Sequence, residues 1–270
     1  MTPAEVQPTR ELAGGTRMPV LGLGVWRMAA GRETEQAVGW ALEAGYRHID
    51  TASMYRNEQS VGAALRSSGV PRDQVFVTTK LLPARLRAAR ELERSLRRLG
   101  LDYVDLYLIH WPLPLLNARL WRALEALRDQ GLAREVGVSN FGRERLAGLT
   151  RGASRPPAVN QVQFNPFHHR RALLEYCLAN GIALEAYSPL ARGHGLGDAT
   201  IAAVAERIGR TPAQVMLRWA IQHGAVVIPK SVHRDRIQAN ARIFDFHLAE
   251  PDMQLLDALD RTHGAAHARG

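Results

Sequence analysis

Val75-Phe-Val-Thr-Thr-Lys80, a helical stretch over 84–99, Gly100, then Val104-Asp-Leu-Tyr-Leu-Ile-His110: this passage holds one full turn of a repeat. Its outer pieces are short runs rich in β-branched and apolar residues, as strands buried on both faces should be. Each ends on a polar residue. The middle piece carries Leu86, Ala89, Leu92, Leu96 and Leu99 at helical spacing, with the dense arginines of Arg85 to Arg98 left for a solvated face. Gly100 stops the helix before the next strand, and Gly45, Gly131 and Gly181 do the same elsewhere. Working outward, the strand pattern recurs at Leu21–Trp26, Arg47–Ala52, Val75–Lys80, Val104–His110, Ala133–Asn140, Ala158–Phe164, Ile182–Ser188 and Ala225–Lys230. Helical patterns fall at 32–44, 57–68, 84–99, 118–130, 143–150, 170–180, 199–222 (broken near Gly209) and 232–242, with a last one at 251–262. Thr211-Pro212-Ala-Gln214 is a capping box with proline at the first helical position.

Eight β/α units in 270 residues imply an α/β fold, a single (β/α)8 barrel domain spanning 1–270. The residues before Leu21 fall outside the repeat and suit a hairpin closing the barrel bottom. A doubly wound sheet is the alternative. Its dinucleotide fingerprint would follow the first strand, but Gly22-Leu-Gly24-Val-Trp-Arg27 lacks the third glycine.

The chain has 35 Lys+Arg residues against 26 Asp+Glu, a formal net charge of +9. The arginines are dispersed and no nucleic-acid motif is present, so the positive charge suits an acidic or phosphorylated small molecule better than nucleic acid. The single cysteine, Cys177, lies in an apolar segment and reads as a buried inert thiol; one cysteine allows no internal disulfide. Met1 to Arg10 has no apolar signal core, and no apolar run approaches membrane-spanning length, so the expected location is the cytoplasm, with no membrane partner. No His/Cys/carboxylate group has metal-ligand spacing, and His168-His169 reads as a solvated loop pair.

Barrel chemistry sits at the carboxyl ends of the strands. Those ends are Trp26, Asp50, Lys80, His110, Asn140, Gln161, Tyr187, Ser188 and Lys230, polar against apolar strand bodies. Lys80 and Lys230 are the only lysines beside 33 arginines, which marks places where a planar, permanently charged fork does not serve. Asp50, Lys80 and His110 end adjacent strands, and Tyr55 follows Asp50 by five residues. A tyrosine near an ammonium is a plausible general acid, because the cation favours phenolate and lowers the phenol pKa. Asp50 would hold Lys80 charged, and His110 would orient a polar substrate atom. Singly, each has a structural reading: a buried ion pair, a packed tyrosine, a core histidine.

Gly45-Tyr-Arg-His-Ile-Asp50-Thr-Ala-Ser-Met-Tyr55-Arg-Asn-Glu58, Leu101-Asp-Tyr-Val-Asp-Leu-Tyr-Leu-Ile-His110-Trp-Pro112, Val136-Gly-Val-Ser-Asn-Phe141, Asn160-Gln161, Ala186-Tyr187-Ser-Pro-Leu190 and Ile228-Pro-Lys230-Ser231 resemble motifs of the aldo-keto reductase family, in that family's order, across about residues 10 to 260. The resemblance implies a catalytic tetrad of Asp50, Tyr55, Lys80 and His110. It implies NADPH-dependent reduction of an aldehyde or ketone, with Tyr55 as proton donor. It also implies that Tyr187 stacks on nicotinamide, that Ser139, Asn140 and Gln161 bind the carboxamide, that Ser188 and Leu190 contact the cofactor, that Lys230, Ser231 and Arg236 bind the 2′-phosphate, and that Asn240 contacts adenine. Physical chemistry supports the phosphate site: Lys230-Ser231 opens the helix expected at 232–242, where free N–H groups and the dipole favour an anion. The branch it looks most like is the compact bacterial one that includes 2,5-diketo-D-gluconate reductases, which tend to be broad in substrate.

The stretch Leu113–Arg119 is short for a family that often walls its pocket there, and no aromatic residue follows Phe246. Both departures imply an open site walled mainly by Trp26 and Trp111. Two other readings stand: a Schiff-base aldolase using Lys80, and a cofactor-binding regulatory protein with the same fold and little turnover. The resemblance implies a monomer.

Overall fold

The computed structural model describes residues 7–82, 87–113 and 115–262. Arg85 and Leu86 lie outside the described residues, as does the chain beyond Thr262. A hairpin of β1 (Thr9–Glu11) and β2 (Arg17–Pro19) precedes an eight-stranded parallel sheet of β3 (Leu23–Gly24), β4 (His48–Asp50), β5 (Phe76–Leu81), β6 (Val104–Ile109), β7 (Ala133–Ser139), β8 (Val159–Gln163), β9 (Ala183–Tyr187) and β10 (Val226–Val227), each paired with the next in order. Among the described residues ten α-helices alternate with the strands: α1 (Arg32–Glu43), α2 (Glu58–Ser67), α3 (Ala88–Leu99), α4 (Asn117–Asp129), α5 (Arg143–Thr150), α6 (Arg171–Ala179), α7 (Ala199–Arg207), α8 (Pro212–Gln222), α9 (Arg234–Ala241) and α10 (Glu250–Asp257). The fold is the (β/α)8 barrel, and the doubly wound alternative falls.

Closure explains the two glycines that fail as a nucleotide fingerprint. Leu21 bridges Val227 in parallel, Gly22 N–H donates to Val227 O at 2.8 Å, and Gly24 N–H donates to Pro229 O at 3.2 Å. A Cβ on Gly24 would stand 2.9 Å from Ile228 O, and one on Gly22 would stand 2.6 Å from His48 Nδ1. At Gly24 the backbone beyond the last strand leaves no room for a side chain, and at Gly22 the His48 ring of β4 fills that space.

Two-residue alternation sorts each strand. In β5, Phe76, Thr78 and Lys80 face the barrel interior, while Val77 and Leu81 pack outward against the helices. The interior is apolar at its lower end, where Leu12 and Met18 of the hairpin region meet Phe76, Leu106, Leu108, Ala158, Val159, Ala183 and Val226. The hairpin therefore plugs the bottom, as its place in the sequence suggested. The outer cluster joins strands to helices and includes the fully buried Trp121 and Trp219.

α3 departs from the expectation in one respect. Ala89 is exposed and Ala88 takes the buried position, with Leu92, Leu96 and Leu99. Nor is its arginine face all solvated: Arg98 Nε donates to Glu58 Oε2 at 2.7 Å, and Glu58 is buried on α2. The capping box at Thr211 and Gln214 is present, and Gly45, Gly100, Gly131 and Gly181 all have positive φ. Cys177 is buried, and burial pushes its thiol up to about 11. Among the described residues no helix is long and apolar enough to cross a membrane.

His169 is buried, contrary to the solvated reading. It lies 3.5 Å from Asp257 Oδ1, which also takes hydrogen bonds from His223 Nε2 and Trp219 Nε1–H at 2.8 Å each. Arg171 donates to the other oxygen at 3.1 Å. Contrary to the reading of the sequence, His169, His223 and Asp257 do bring potential metal-ligand atoms within 4.8 Å of one another, and the carboxylate already accepts three hydrogen bonds. The cluster is a hydrogen-bonded clasp of α10 onto the barrel.

Candidate active site

The inward-facing residues become polar at the carboxyl ends of the strands, and the side chains there are in mutual contact. Lys80, fully buried on β5, donates to Asp50 Oδ1 at 2.6 Å, Asp50 Oδ2 at 2.7 Å, Thr51 O at 2.9 Å and Tyr55 Oη at 3.3 Å. Asp50 closes β4, and Tyr55 sits in the single helical turn Ser53–Tyr55 that follows. That turn is tied down twice. Ser53 Oγ donates to Lys80 O at 3.0 Å, and buried Asn57 donates to Val25 O at 2.9 Å while accepting from Thr51 Oγ1 at 3.0 Å. Arg56, with φ 60°, lets the chain leave the turn for α2. His110, directly after β6, is 3 % exposed, with its ring 5.7 Å from that of Tyr55. The four residues singled out in the sequence are thus one cluster.

The electrostatics follow from burial and pairing. Burial opposes the Lys80 charge, yet Asp50 and Tyr55 overcome it and leave the ammonium above its ordinary pKa. Asp50 is pushed up by burial and pulled back by Lys80 and Gln161; with both oxygens within 2.7 Å of an ammonium, the pair is ionic. Tyr55 corrects an expectation. Its pKa lies above the ordinary phenol value, because burial outweighs the pull of Lys80, and Asp50 and Glu185 add to the rise. Tyr55 therefore holds its proton at neutral pH. His110 is pushed down to about 2 by burial and then by Lys80, so its imidazole is neutral, and its buried Nδ1 has no partner among the described residues.

A second group adjoins the first. Ser139 ends β7, and its Oγ donates to Gln161 O at 2.9 Å. Asn140, turned out of the strand with φ 64°, donates to His110 O at 3.0 Å and to Ser139 Oγ at 3.1 Å, and accepts from Tyr187 Oη at 2.9 Å. Gln161 Nε2 donates to Asp50 Oδ2 at 2.7 Å and to Glu185 Oε2 at 2.8 Å. Ser188 is also left-handed, and Leu190 is half-buried against the outer apolar shell.

The remaining sequence-derived candidates are not linked to this network. Lys230 and Arg236 are exposed, whereas Ser231 and Asn240 are buried. Lys230 thus differs from Lys80, which alone occupies a buried site. Ser231 does not open a helix: α9 begins at Arg234, and Ser231 Oγ accepts from His233 N–H at 3.1 Å. At the rim, Trp111 is 45 % exposed and Trp26 is half-buried, so both line an open mouth.

Sequence reading missed several participants. Arg27 and Arg192 lie over the Trp26 ring at 4.4 and 5.4 Å, giving the mouth a cationic edge. Glu185 and His48 are fully buried beneath the cluster, 3.5 Å apart. A carboxylate inside the apolar run Ile182-Ala-Leu-Glu185-Ala was the available signal.

Comparison with known proteins agrees with this geometry. The profile of the aldo/keto reductase family matches residues 20–261. The chain is 46 % identical over 255 residues to a 9,11-endoperoxide prostaglandin H2 reductase of Trypanosoma cruzi, covering 92 % of this chain and 90 % of that protein. It is 44 % identical over 262 residues to a glyoxal reductase of Bacillus subtilis, covering 96 % and 95 %. Among solved structures, an aldo/keto reductase of Brucella melitensis superposes with TM-score 0.90 at 42 % identity, over 94 % of this chain and 100 % of that one. An aldo-keto reductase of Bombyx mori in complex with NADP gives 0.89 at 35 % identity, over 95 % and 94 %. A barrel of this topology, an ammonium-linked tyrosine at its mouth and identity at this level along nearly the whole chain lead to one conclusion: the protein is an oxidoreductase of the aldo/keto reductase family.

Proposed function

We propose that the protein reduces an aldehyde or ketone to an alcohol, with NADPH as reductant and Tyr55 as proton donor. The observation that carries this reading is the contact chain Asp50–Lys80–Tyr55, which ends in a protonated phenol 3.3 Å from a buried ammonium. The residues present suit a nicotinamide dinucleotide. Lys230 and Arg236 are exposed cations without an ion pair among the described residues, fit for an extra phosphate. Gln161 spends its amide hydrogens on Asp50 and Glu185, so its amide oxygen remains for a carboxamide donor, beside Ser139, Asn140 and the Tyr187 ring. Ser188, Leu190, Ser231 and Asn240 complete the proposed cofactor contacts. Bound NADPH supplies a hydride to the carbonyl carbon.

The chain's own groups handle the oxygen. Tyr55 Oη gives its proton to the developing alkoxide, and general acid help of this kind contributes about 10²- to 10⁴-fold. Lys80 stabilises the phenolate left behind, and Asp50 keeps Lys80 charged and aimed. Neutral His110 donates a hydrogen bond that orients the carbonyl oxygen; an imidazolium there would be opposed by Lys80.

The open mouth between Trp26 and Trp111, with Arg27 and Arg192 at its edge, suits small polar carbonyl compounds and favours those bearing a carboxylate. That supports broad specificity, with 2,5-diketo-D-gluconate among the substrates, beside uncharged dicarbonyls like that of the glyoxal reductase relative. The test is NADPH oxidation by the purified protein with methylglyoxal, aromatic aldehydes and 2,5-diketo-D-gluconate, and NADH in parallel. We expect turnover with NADPH on several of them and a gain for the anionic substrate that fades with salt. Binding of NADPH without turnover on any carbonyl defeats the reading in favour of a binding role.

A further inference from the structure

Beneath the mouth, the barrel interior brings a second carboxylate, Glu185, close to the Asp50–Lys80 pair, while Glu135 lies lower, against the hairpin. Glu185 on β9 is fully buried, and its Oε2 accepts from Gln161 Nε2 at 2.8 Å. The same nitrogen donates to Asp50 Oδ2 at 2.7 Å, so one amide group bridges the two carboxyl groups. Glu185 Oε1 has no hydrogen-bond partner among the described residues and stands 3.5 Å from His48 Nε2. From β10 the register places Val226, which is apolar, beside Glu185, and β8 contributes the uncharged Gln161. From β4 come His48 and Asp50, from the turn that follows β4 comes Tyr55, and from β5 come Thr78 and Lys80. His48 brings no charge, since burial, with Lys80 in addition, pushes it down to about 3. Lys80 is committed to both oxygens of Asp50 and to Thr51 O. A second carboxylate anion would be buried without a counter-ion, which is costly.

We propose that Glu185 is a positioning residue that carries a proton in the active enzyme and sets the acidity of Tyr55 through its own charge state. This rests on the carbonyl-reduction reading. Neutral Glu185 leaves Lys80 balanced by Asp50 alone, and Tyr55 releases its proton readily. Ionised Glu185 adds a negative charge that strengthens the hold on both the Lys80 and Tyr55 protons. Burial, with Asp50 in addition, pushes the Glu185 carboxyl up to about 8, inside the range where an enzyme is assayed. Reduction then slows as pH rises through that titration, because the acid in the transition state becomes weaker.

The test is kcat for carbonyl reduction at saturating NADPH against pH, for the wild type and for Glu185→Gln, which is isosteric and permanently neutral. Wild-type kcat should fall about three- to tenfold between about pH 6 and about pH 9.5 with an inflection near 8. The Glu185→Gln profile should lack that limb, an outcome that a purely structural role does not produce. Turnover whose alkaline limb is the same in both proteins overturns the inference and leaves the reduction reading intact. Absence of turnover with every carbonyl overturns the reading itself. Infrared spectroscopy decides the protonation state even if the variant does not fold. A buried protonated-carboxyl band should be present in the wild type at about pH 6 and vanish with a midpoint near 8; its absence at about pH 6 overturns the proposal.

Discussion

Lys80 gives its ammonium to three different groups in a space with no solvent. A guanidinium is wider, planar and fixed in its donor directions, so arginine serves the surface of this protein but not this position. Lys80→Arg should cost about 1–3 kcal/mol in unfolding free energy from overpacking and lower kcat by about 10²-fold or more, checked by denaturant melts and steady-state assay. The lone buried lysine was legible because arginine is so prevalent here; Glu185 was not, because one acidic residue does not interrupt the apolar pattern of a strand. Its titration also has a stability signature. The folded-state pKa is raised, so folded protein binds the extra proton and its stabilisation is complete below the unfolded pKa. That stabilisation is lost as pH rises towards about 8, at about 1.4 kcal/mol per pH unit at the steepest. His48, His110, His168 and His169 are shifted the opposite way, and their contribution is lost as pH falls through the ordinary histidine range. Between about pH 6.5 and 8, then, the thermal stability of the wild type should fall relative to that of Glu185→Gln, since every other titrating group is common to both, measured by melting the two proteins across that interval.

At the scale of the elements, apolar runs and glycine stops located the eight barrel strands and the helices among the described residues, but not their ends. β3 and β10 retain only two ladder residues each, because the chain beyond them turns to close the barrel through Gly24 and Pro229. Pro229 lacks an N–H and could not have continued β10 as a central strand. Helix faces were legible to within one residue, as Ala88 and Ala89 show. Polar groups that brace the elements from outside were hidden among ordinary surface charges. Asp105 on β6 is buried, accepts from Val77 N–H at 2.9 Å and from Arg72 at 2.7 Å, and lies 3.2 Å from Arg134. Both arginines also lie over the Tyr103 ring, at 4.2 and 4.4 Å. Removing the carboxylate leaves a strand N–H and two partly buried cations unpaired. Asp105→Ala should destabilise the fold by about 3 kcal/mol without changing KM, measured by urea unfolding beside a steady-state assay.

In the whole molecule, closure of the barrel makes one site from residues far apart in sequence. Asp50 and Gln161 are 111 positions apart and hydrogen-bonded. That convergence was legible from strand ends alone, since a parallel barrel places all of them at one face. What could not be read was depth: which inward residues lie beneath the mouth, and how burial overrides a neighbouring cation in setting the Tyr55 pKa. The proposed cofactor arm stands apart from this network on α9 and the loop before it, so it should fail separately. Arg236→Ala and Lys230→Met should weaken NADPH binding by about tenfold or more each and NADH binding little, read by fluorescence titration of both cofactors. Equal losses would place the extra phosphate elsewhere. The most direct test of the account concerns Tyr55, whose Oη stands at the end of the Asp50–Lys80 chain. Tyr55→Phe should bind NADPH as the wild type does while kcat for carbonyl reduction falls by about 10²- to 10⁴-fold; a kcat close to wild type would contradict the assignment of Tyr55 as the proton donor.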